Sequence, residues 1–246
     1  MNYNWNWRIF WEASPDGIGT YMDTLWSGLL WTLATALTAW IMALLLGAIV
    51  GTLRTLPNKW VVRLANGYVE LFRNIPLLMQ MFLWYFVMPE LLPKGMGDWL
   101  KSLPNVPFVT AVISLGFFTS ARVAVQITSG IQSLPKGQRM AGTALGLTLA
   151  QTYRYILLPM AFRIVFPPLT SEFLNIIKNS SVAFTIGVVE LTARAYSMRE
   201  MSFQTFEALT AATIIFIIVN ILVLFGMRML EKAVAVPGFI GQSGGR

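Results

Sequence analysis

The sequence contains no cysteine and no histidine, and only 12% of its residues are charged. Without cysteine the chain has neither a disulfide framework nor a thiolate metal site, and without histidine the usual metal ligands are reduced to scattered carboxylates. The lack of histidine also argues against a catalytic triad. We therefore expect no catalytic residue, no metal site and no cofactor in this chain.

Most residues of the chain are apolar: 56% are hydrophobic, and the mean hydropathy is +0.62. A soluble domain usually carries about 25% charged residues, so this chain cannot cover itself with polar surface. The net charge of +7 does not indicate nucleic-acid binding, because lysine and arginine lie between apolar blocks. The composition predicts a membrane protein whose surroundings are a lipid bilayer, with no nucleic-acid partner.

Five apolar blocks are long enough to cross a bilayer as helices, which takes roughly 20 residues. They cover residues 25–53, 69–92, 108–131, 156–177 and 208–229. A sixth stretch, 182–191, is too short to cross and predicts a re-entrant or interfacial segment. We expect an all-α membrane protein with an N-terminal segment 1–24, a membrane domain 25–230 and a tail 231–246.

The distribution of basic residues predicts the orientation, because an odd number of spans places the termini on opposite sides. One side carries Arg54, Lys59, Arg63, Arg73, Lys136, Arg139, Arg154, Arg228, Lys232 and Arg246. The other side carries fewer: Arg8, Lys94, Lys101, Arg194 and Arg199. Since loops rich in lysine and arginine stay in the cytoplasm, we expect the N-terminus outside and the C-terminus in the cytoplasm.

The loop 132–155 between the third and fourth spans is polar and opens with Pro135-Lys136-Gly137-Gln138. It predicts a short helix outside the bilayer, with small residues on one part and an apolar ridge of Leu145 and Leu149 that a partner groove can receive. An ordinary connecting helix, packed on its own protein, is the alternative.

The residues of this loop resemble the "EAA" loop of binding-protein-dependent ABC importer permeases. Residues 140–146 read Met-Ala-Gly-Thr-Ala-Leu-Gly, and Ile-Leu-Leu-Pro at 156–159 follows after nine residues, which is the spacing of the family. The front of the motif departs from it, because Met140 replaces the glutamate of the family and Gly142 an alanine.

Four more segments are similar to the polar amino acid (histidine, glutamate, arginine) branch of these permeases. They are Phe-Arg-Asn-Ile-Pro-Leu-Leu-Met-Gln at 72–80, Ile-Gln-Ser-Leu-Pro-Lys-Gly-Gln at 131–138, Pro-Pro-Leu at 167–169 and Ile-Lys-Asn-Ser-Ser at 177–181. The opening Asn-Trp-Asn-Trp-Arg-Ile-Phe at 4–10 looks most like glutamate/aspartate permeases. The resemblance covers roughly residues 27–228 and implies the type I ABC importer permease (MetI-like) fold.

The family uses this loop as a coupling helix that inserts into a cleft of the ATPase subunit. For this chain, the resemblance implies that the residues that couple it to the ATPase are Arg139, Met140, Ala141, Gly142, Ala144, Leu145, Gly146, Arg154 and Pro159. Because Met140 offers no carboxylate, we expect coupling to depend on shape, with Arg139 or Arg154 as ionic contacts.

The resemblance implies a permease subunit that imports amino acids, glutamate or aspartate, across the bacterial cytoplasmic membrane. Its implied partners are an ATPase dimer that binds and hydrolyses ATP, a second identical or similar permease, and an extracytoplasmic amino-acid-binding protein. The chain itself is then not an enzyme. Two other functions stay open: an ion-coupled secondary carrier, against which five spans without an inverted repeat argue, and a membrane scaffold that transports nothing.

Charged residues inside apolar blocks are functional candidates, because their burial in lipid is costly. Arg122 lies halfway along the third span and offers a fork for a carboxylate, while Lys178 closes the fourth span. With them we assign to the substrate site Glu172, Asn179, Ser180 and Ser181. We expect helix breaks near Pro167-Pro168 and at the Asn-Ser-Ser turn to expose backbone groups there.

The alternative role for Arg122 is to pair with Glu172 and only hold helices together. Arg73 and Glu70 are interpreted as anchors at the cytoplasmic end or as an ion pair.

Overall fold

The computed structural model describes residues 3–17 and 19–234, and in these residues the chain forms helices and no β-strand. The α-helices, in chain order, are α1 (Tyr21–Leu53), α2 (Lys59–Asn74), α3 (Leu77–Phe82), α4 (Met88–Leu91), α5 (Lys94–Ser102), α6 (Val106–Gln132), α7 (Lys136–Ala144), α8 (Leu149–Thr152), α9 (Leu158–Asn179), α10 (Leu191–Ser202) and α11 (Thr205–Val234). One π-helical turn, Leu83–Val87, joins α3 to α4, and another, Tyr153–Leu157, joins α8 to α9. The all-α prediction is confirmed.

Four helical segments are long and apolar enough to cross a membrane: Tyr21–Leu53, Val106–Gln132, Leu149–Ile186 and Thr205–Ala233. The helices Lys59–Asn74 and Leu77–Leu91 meet the same criteria only as a pair that is bent by 103°, which gives up to five crossings if the pair is one span. The prediction of about five spanning helices is confirmed, with the bend falling inside the block 69–92. Of the predicted tail 231–246, residues 235–246 lie outside the described residues.

The bend between α2 and α3 has a local cause at Pro76. Proline has no N–H to donate, and it disfavours helical geometry in the preceding residue, which here is the extended Ile75. Gln80 compensates for the break, because its Nε2 donates to the carbonyls of Phe72 at 2.8 Å and of Ile75 at 3.0 Å. A buried glutamine amide thus holds the end of α2 against the start of α3.

Glycines allow α1 to pack closely against α6. A Cβ atom at Gly47 would lie 2.8 Å from the carbonyl oxygen of Ser120, and one at Gly51 would lie 2.7 Å from that of Ala124. Thr128 reinforces the contact by donating to the carbonyl of Gly51 at 3.0 Å. The Gly-x-x-x-Gly spacing at 47–51 therefore fixes the position of α6 in the bundle.

The chain reverses direction after α9. Ser180–Ile186 form a 3₁₀ helix, Gly187 takes a left-handed φ of 93°, and α10 then returns along α1. Glu190 is fully buried and caps α10, accepting from the N–H groups of Thr192 at 2.9 Å and Ala193 at 2.8 Å. The stretch 182–191 is therefore part of a turn between two helices.

The path of α9 corrects one expectation. The helix runs without interruption through Pro167 and Pro168, so the break predicted at this pair is wrong. Tertiary packing keeps the segment helical although each proline removes one backbone hydrogen bond. The second predicted break, at Asn179 and Ser180, does occur, as the change from α to 3₁₀ geometry.

Candidate functional site

A polar cavity of about 310 Å³ lies among α2, α6 and α9. Its walls are formed by Arg73, Arg122, Val125, Gln126 and Glu172. Each charged wall residue comes from a different helix, so the cavity depends on how the three helices pack.

The fold explains how the two arginines reach one cavity. Arg73 is in the last turn of α2, directly before the bend that Pro76 causes and Gln80 stabilises. Arg122 is in the middle of α6, near the residues that pack against the glycines of α1. Gln126 follows Arg122 by one helical turn and therefore lines the same wall.

Arg122 and Glu172 form a loose ion pair across the cavity. Nη1 of Arg122 lies 3.9 Å from Oε2 of Glu172, which is too long for a hydrogen bond, and this oxygen is buried without any hydrogen-bond partner. The Arg122 side chain is 46% exposed and the Glu172 side chain only 10%. Arg122 also lies over the ring of Phe118, with Cζ 5.1 Å from the ring centroid. The guanidinium fork is therefore free to bind a further acceptor.

The charges of the cavity are unequal: two guanidinium groups face one carboxylate. Guanidinium groups bind carboxylates through paired N–H donors, and a carboxylate binds an ammonium group. Gln126 adds a neutral donor and acceptor. These groups can therefore take the place of the water that hydrates a small molecule with two carboxylates and one ammonium group.

Of the residues predicted for a substrate site, the structure brings Arg122 and Glu172 together and places the others elsewhere. Lys178 lines a groove between α9 and α11, with Leu174, Thr213 and Asn220, and not the cavity of Arg122. Six residues along an α-helix correspond to about 600°, so Lys178 and Glu172 face different directions.

In the Asn-Ser-Ser turn, residues 179–181, the serine hydroxyl groups form hydrogen bonds to backbone carbonyls of the same segment. Ser180 is buried and its hydroxyl donates to the carbonyl of Ile177 at 2.7 Å, while the Ser181 hydroxyl donates to that of Lys178 at 2.7 Å. Asn179 is the last residue of α9 and is not among the cavity walls. These residues build the turn after α9.

Sequence reasoning missed Arg73 and Gln126 as cavity residues. From the sequence, Arg73 is interpreted as an anchor or as a partner of Glu70, but among the described residues no ion pair joins the two. The proline at position 76 was a usable signal for a break in the helix directly after Arg73. Gln126 could have been found from its spacing of four residues after Arg122.

The predicted coupling loop forms α7 and α8 at the end of the bundle where α1 and α6 end. Met140 and Leu145 expose 70% and 77% of their surface, and Arg139 and Arg154 are exposed as well. Gly142 is buried against Thr152, where a Cβ atom would lie only 3.0 Å from the threonine side chain. The outer face of the loop is thus free, while Gly142 fixes the inner face against the bundle.

Glycine is required at the turn that follows α7. Gly146 has a left-handed φ of 77°, and Leu147 donates its N–H to the carbonyl of Gly142 at 3.0 Å. Pro159 lies where the π-helical turn Tyr153–Leu157 runs into α9 within one continuous helical segment, so its missing N–H removes a backbone hydrogen bond there. The backbone conformation therefore explains the glycine of the loop motif.

A comparison of this sequence with known proteins identifies the family to which the chain is similar. Residues 43–236 match the family described as "Binding-protein-dependent transport system inner membrane component". The chain is 46% identical over 244 residues to the glutamate/aspartate import permease protein GltJ of Escherichia coli (strain K12), covering 98% of this chain and 99% of that protein. It is 32% identical to the probable glutamine ABC transporter permease protein GlnM of Bacillus subtilis (strain 168), covering 88% and 94%.

Solved structures agree with this result. An amino acid ABC transporter crystallised with histidines superposes with a TM-score of 0.73 at 28% identity, covering 87% of this chain and 95% of that one. The MetNI methionine ABC transporter in an inward-facing conformation superposes with a TM-score of 0.71 at 20% identity, covering 87% and 98%. The second likeness shows a shared fold.

Proposed function

Because this chain belongs to the binding-protein-dependent transport system inner membrane components, we propose that it carries acidic amino acids, glutamate and aspartate, through the cytoplasmic membrane. Membership confirms the resemblance predicted from residues 140–159 and makes the chain a multi-pass membrane transport subunit. The proposal concerns the substrate, the partners and the residues that recognise the substrate.

The charge of the cavity carries the proposal. Glutamate and aspartate have two carboxylates and one ammonium group, and the cavity has two guanidinium groups and one carboxylate. We assign one carboxylate of the substrate to Arg122, the other to Arg73 and the ammonium group to Glu172. The buried Oε2 of Glu172, which lacks a hydrogen-bond partner, then gains one.

This assignment joins the two roles that sequence analysis left open for Arg122. Arg122 pairs loosely with Glu172 at 3.9 Å, which keeps both side chains at the cavity. A bound amino acid replaces that long contact by two shorter, charge-assisted ones. The relative from Escherichia coli that is named for glutamate and aspartate supports the same substrate class.

The proposed assembly contains an ATPase dimer, a second permease and an extracytoplasmic binding protein. The exposed apolar residues Met140 in α7 and Leu145 directly after it support a contact with the ATPase. A binding protein that docks on the opposite end would deliver the substrate. ATP would bind to and be hydrolysed by the ATPase, and α7 would transmit its movement to the spanning helices.

The proposed orientation places α7 in the cytoplasm and the N-terminus outside. It is supported by the excess of lysine and arginine in the loops beside α2 and α7. Cysteine scanning can test it, because the natural chain has no cysteine. In the variant Thr143→Cys, the new thiol on exposed α7 should react with an impermeant maleimide in inverted vesicles and not in right-side-out vesicles.

Uptake into proteoliposomes separates this function from the carrier and the scaffold. The chain is co-purified with its ATPase and second permease, reconstituted, and supplied with binding protein and radiolabelled glutamate. We expect uptake that requires ATP on the side of the ATPase and ignores an imposed membrane potential. Uptake driven by potential or an ion gradient without ATP would indicate a carrier, and an absence of uptake with full assembly would indicate a scaffold.

A further inference from the structure

A second polar cavity, of about 260 Å³, lies at the end of the bundle that carries α7. Arg54 comes from the end of α1, Lys136 and Arg139 come from the start of α7, and Tyr153 comes from the π-helical turn after α8. The complete lining is Arg54, Thr55, Ile131, Gln132, Leu134, Pro135, Lys136, Arg139, Tyr153 and Leu157. No aspartate or glutamate is among these residues, so the cavity has three cationic side chains and no anionic one.

Among the described residues no carboxylate forms an ion pair with these three cations, and the charge of Glu70 acts on Arg54 only from beyond ion-pair distance. The ion pairs found there join Lys101 to Glu90, Arg122 to Glu172 and Arg194 to Asp16. Arg54 instead donates from Nε to Oδ1 of Asn66 at 2.7 Å and from Nη1 to Oγ1 of Thr128 at 3.3 Å, and both acceptors are neutral. Partial burial, followed by the charge of Arg73, lowers the pKa of Arg54.

The hydroxyl donors at the cavity are already used within the chain, since Tyr153 donates to the carbonyl of Thr55 at 2.8 Å and Thr55 donates to that of Thr52 at 2.8 Å. The cationic side chains and the start of α7 are therefore the groups that can hold an anion. The nine-residue helix α7 starts at Lys136, and no side chain caps its N-terminus. The positive end of this helix dipole therefore adds to the field of the three cations.

The position of the cavity indicates where the anion comes from. The spanning segments Tyr21–Leu53 and Val106–Gln132 both end beside it, so the cavity lies at the level where a bilayer meets water. Headgroup phosphates lie at this level, and basic pockets between spanning helices on the cytoplasmic side bind such headgroups.

We propose that this cavity binds a phosphate group, held by Arg54, Lys136 and Arg139, as carried by the headgroup of an anionic phospholipid. The bound phosphate would fix the start of α7 to the ends of α1 and α6. The inference depends on the membrane setting of the chain and not on its substrate. A lipid site here would make the position of α7 sensitive to the lipid composition of the membrane.

Native mass spectrometry of the purified full chain in detergent tests the site. The chain is titrated with phosphatidylglycerol, with phosphatidylcholine and with inorganic phosphate. We expect one phosphatidylglycerol to bind at lower concentration than phosphatidylcholine, and the double variant Lys136→Gln/Arg139→Gln to weaken that binding roughly 30-fold. Competition by millimolar inorganic phosphate would support the phosphate site and assign it to a free anion instead.

The control double variant Lys59→Gln/Arg63→Gln removes the same charge from the same end of the bundle, outside the cavity. It should leave phosphatidylglycerol binding unchanged, and Lys136→Arg should bind like the natural chain. Equal weakening in both double variants, or no preference over phosphatidylcholine and no phosphate binding, would overturn the proposal. Displacement of the lipid by the co-purified ATPase would also overturn it and make the cavity a protein contact.

Discussion

Glu172 has an unusual position for a carboxylate in a spanning helix. Its side chain is only 10% exposed, its nearest cation is 3.9 Å away, and its Oε2 has no hydrogen-bond partner. Burying a charge with so little compensation is costly, and such residues in spanning segments mark functional sites. Under the proposed function, the ammonium group of the substrate would be this partner.

Replacing this carboxylate should affect only ligands that carry an ammonium group. We expect Glu172→Gln to weaken glutamate binding to the purified complex about 10-fold or more, because a charge-assisted contact is lost. Glutarate has the same two carboxylates without the ammonium group, so its binding should be unchanged or stronger. Competition binding with radiolabelled glutamate measures both affinities. Equal losses for both ligands would show that Glu172 only holds the helices.

Gln80 acts on the cavity through the backbone. Gln80→Met keeps the size of the side chain but leaves the carbonyls of Phe72 and Ile75 without their donor. An unsatisfied buried polar group costs about 1–3 kcal/mol, so we expect a lower unfolding temperature and weaker glutamate binding as Arg73 shifts. Tryptophan fluorescence during heating reports the first effect. Gln132→Met, at an exposed position, should change neither quantity.

The residues of the cavity were predictable to different degrees. Arg122 and Glu172 follow from the cost of charge in an apolar block. Lys178 satisfies the same rule, but helical geometry turns it toward α11, and a sequence without known neighbours does not show which face is the inner one. Arg73 was missed because a local break, and not an apolar pattern, brings it to the cavity.

At the scale of elements, the packing of α1 on α6 sets the position of Arg122. Gly51 leaves no room for a side chain, since its Cβ would lie 2.7 Å from a backbone oxygen that cannot move freely. The helices must therefore separate if this residue becomes larger.

We expect Gly51→Val to destabilise the protein by about 1–3 kcal/mol, the usual cost of overpacking. Gly226→Val is the matched control, because no atom lies within 4 Å of a Cβ atom at Gly226 in α11. Heating in detergent, followed by the fluorescence of the nine tryptophans, compares the two variants. Equal unfolding temperatures would contradict close packing at Gly51.

The helix α7 presents its apolar residues to its surroundings, and Leu145 at its end is 77% exposed. A charge on this ridge should prevent docking into an apolar cleft of the ATPase. We expect Leu145→Asp to abolish co-purification of the ATPase, while Leu145→Met retains it, because only the first variant removes the apolar contact. Since Leu145 touches little of its own chain, both variants should unfold at the natural temperature. Retained ATPase with Leu145→Asp would contradict the coupling role.

At the scale of the whole molecule, the number of crossings followed from the length of the apolar blocks, and the broken second crossing did not. Residues 69–92 are continuous in hydropathy, but the 103° bend lies within them, because Pro76 and the hydrogen bonds of Gln80 decide the local geometry. The pair Pro167-Pro168 shows the reverse case, in which the packed helix α9 stays intact. Proline alone therefore did not distinguish a bend from a continuous helix.

Under the proposed function, the cavity recognises the substrate within the membrane, and the exposed helix α7 receives energy from the ATPase at one end of the bundle. The recognition step is the central claim, and it depends on two guanidinium groups opposite one carboxylate. The affinity must be measured without the binding protein, which would otherwise dominate it.

Equilibrium binding of radiolabelled glutamate and glutamine to the purified permease–ATPase complex is the most direct measurement. We predict that the natural complex prefers glutamate and that Arg122→Gln reduces glutamate affinity about 10- to 100-fold, because one of the two guanidinium groups that bind the substrate carboxylates is removed. Arg228→Gln, with the same charge change at an exposed position of α11, should bind as the natural complex does. Unaltered affinity and preference in a correctly assembled Arg122→Gln complex would contradict the account.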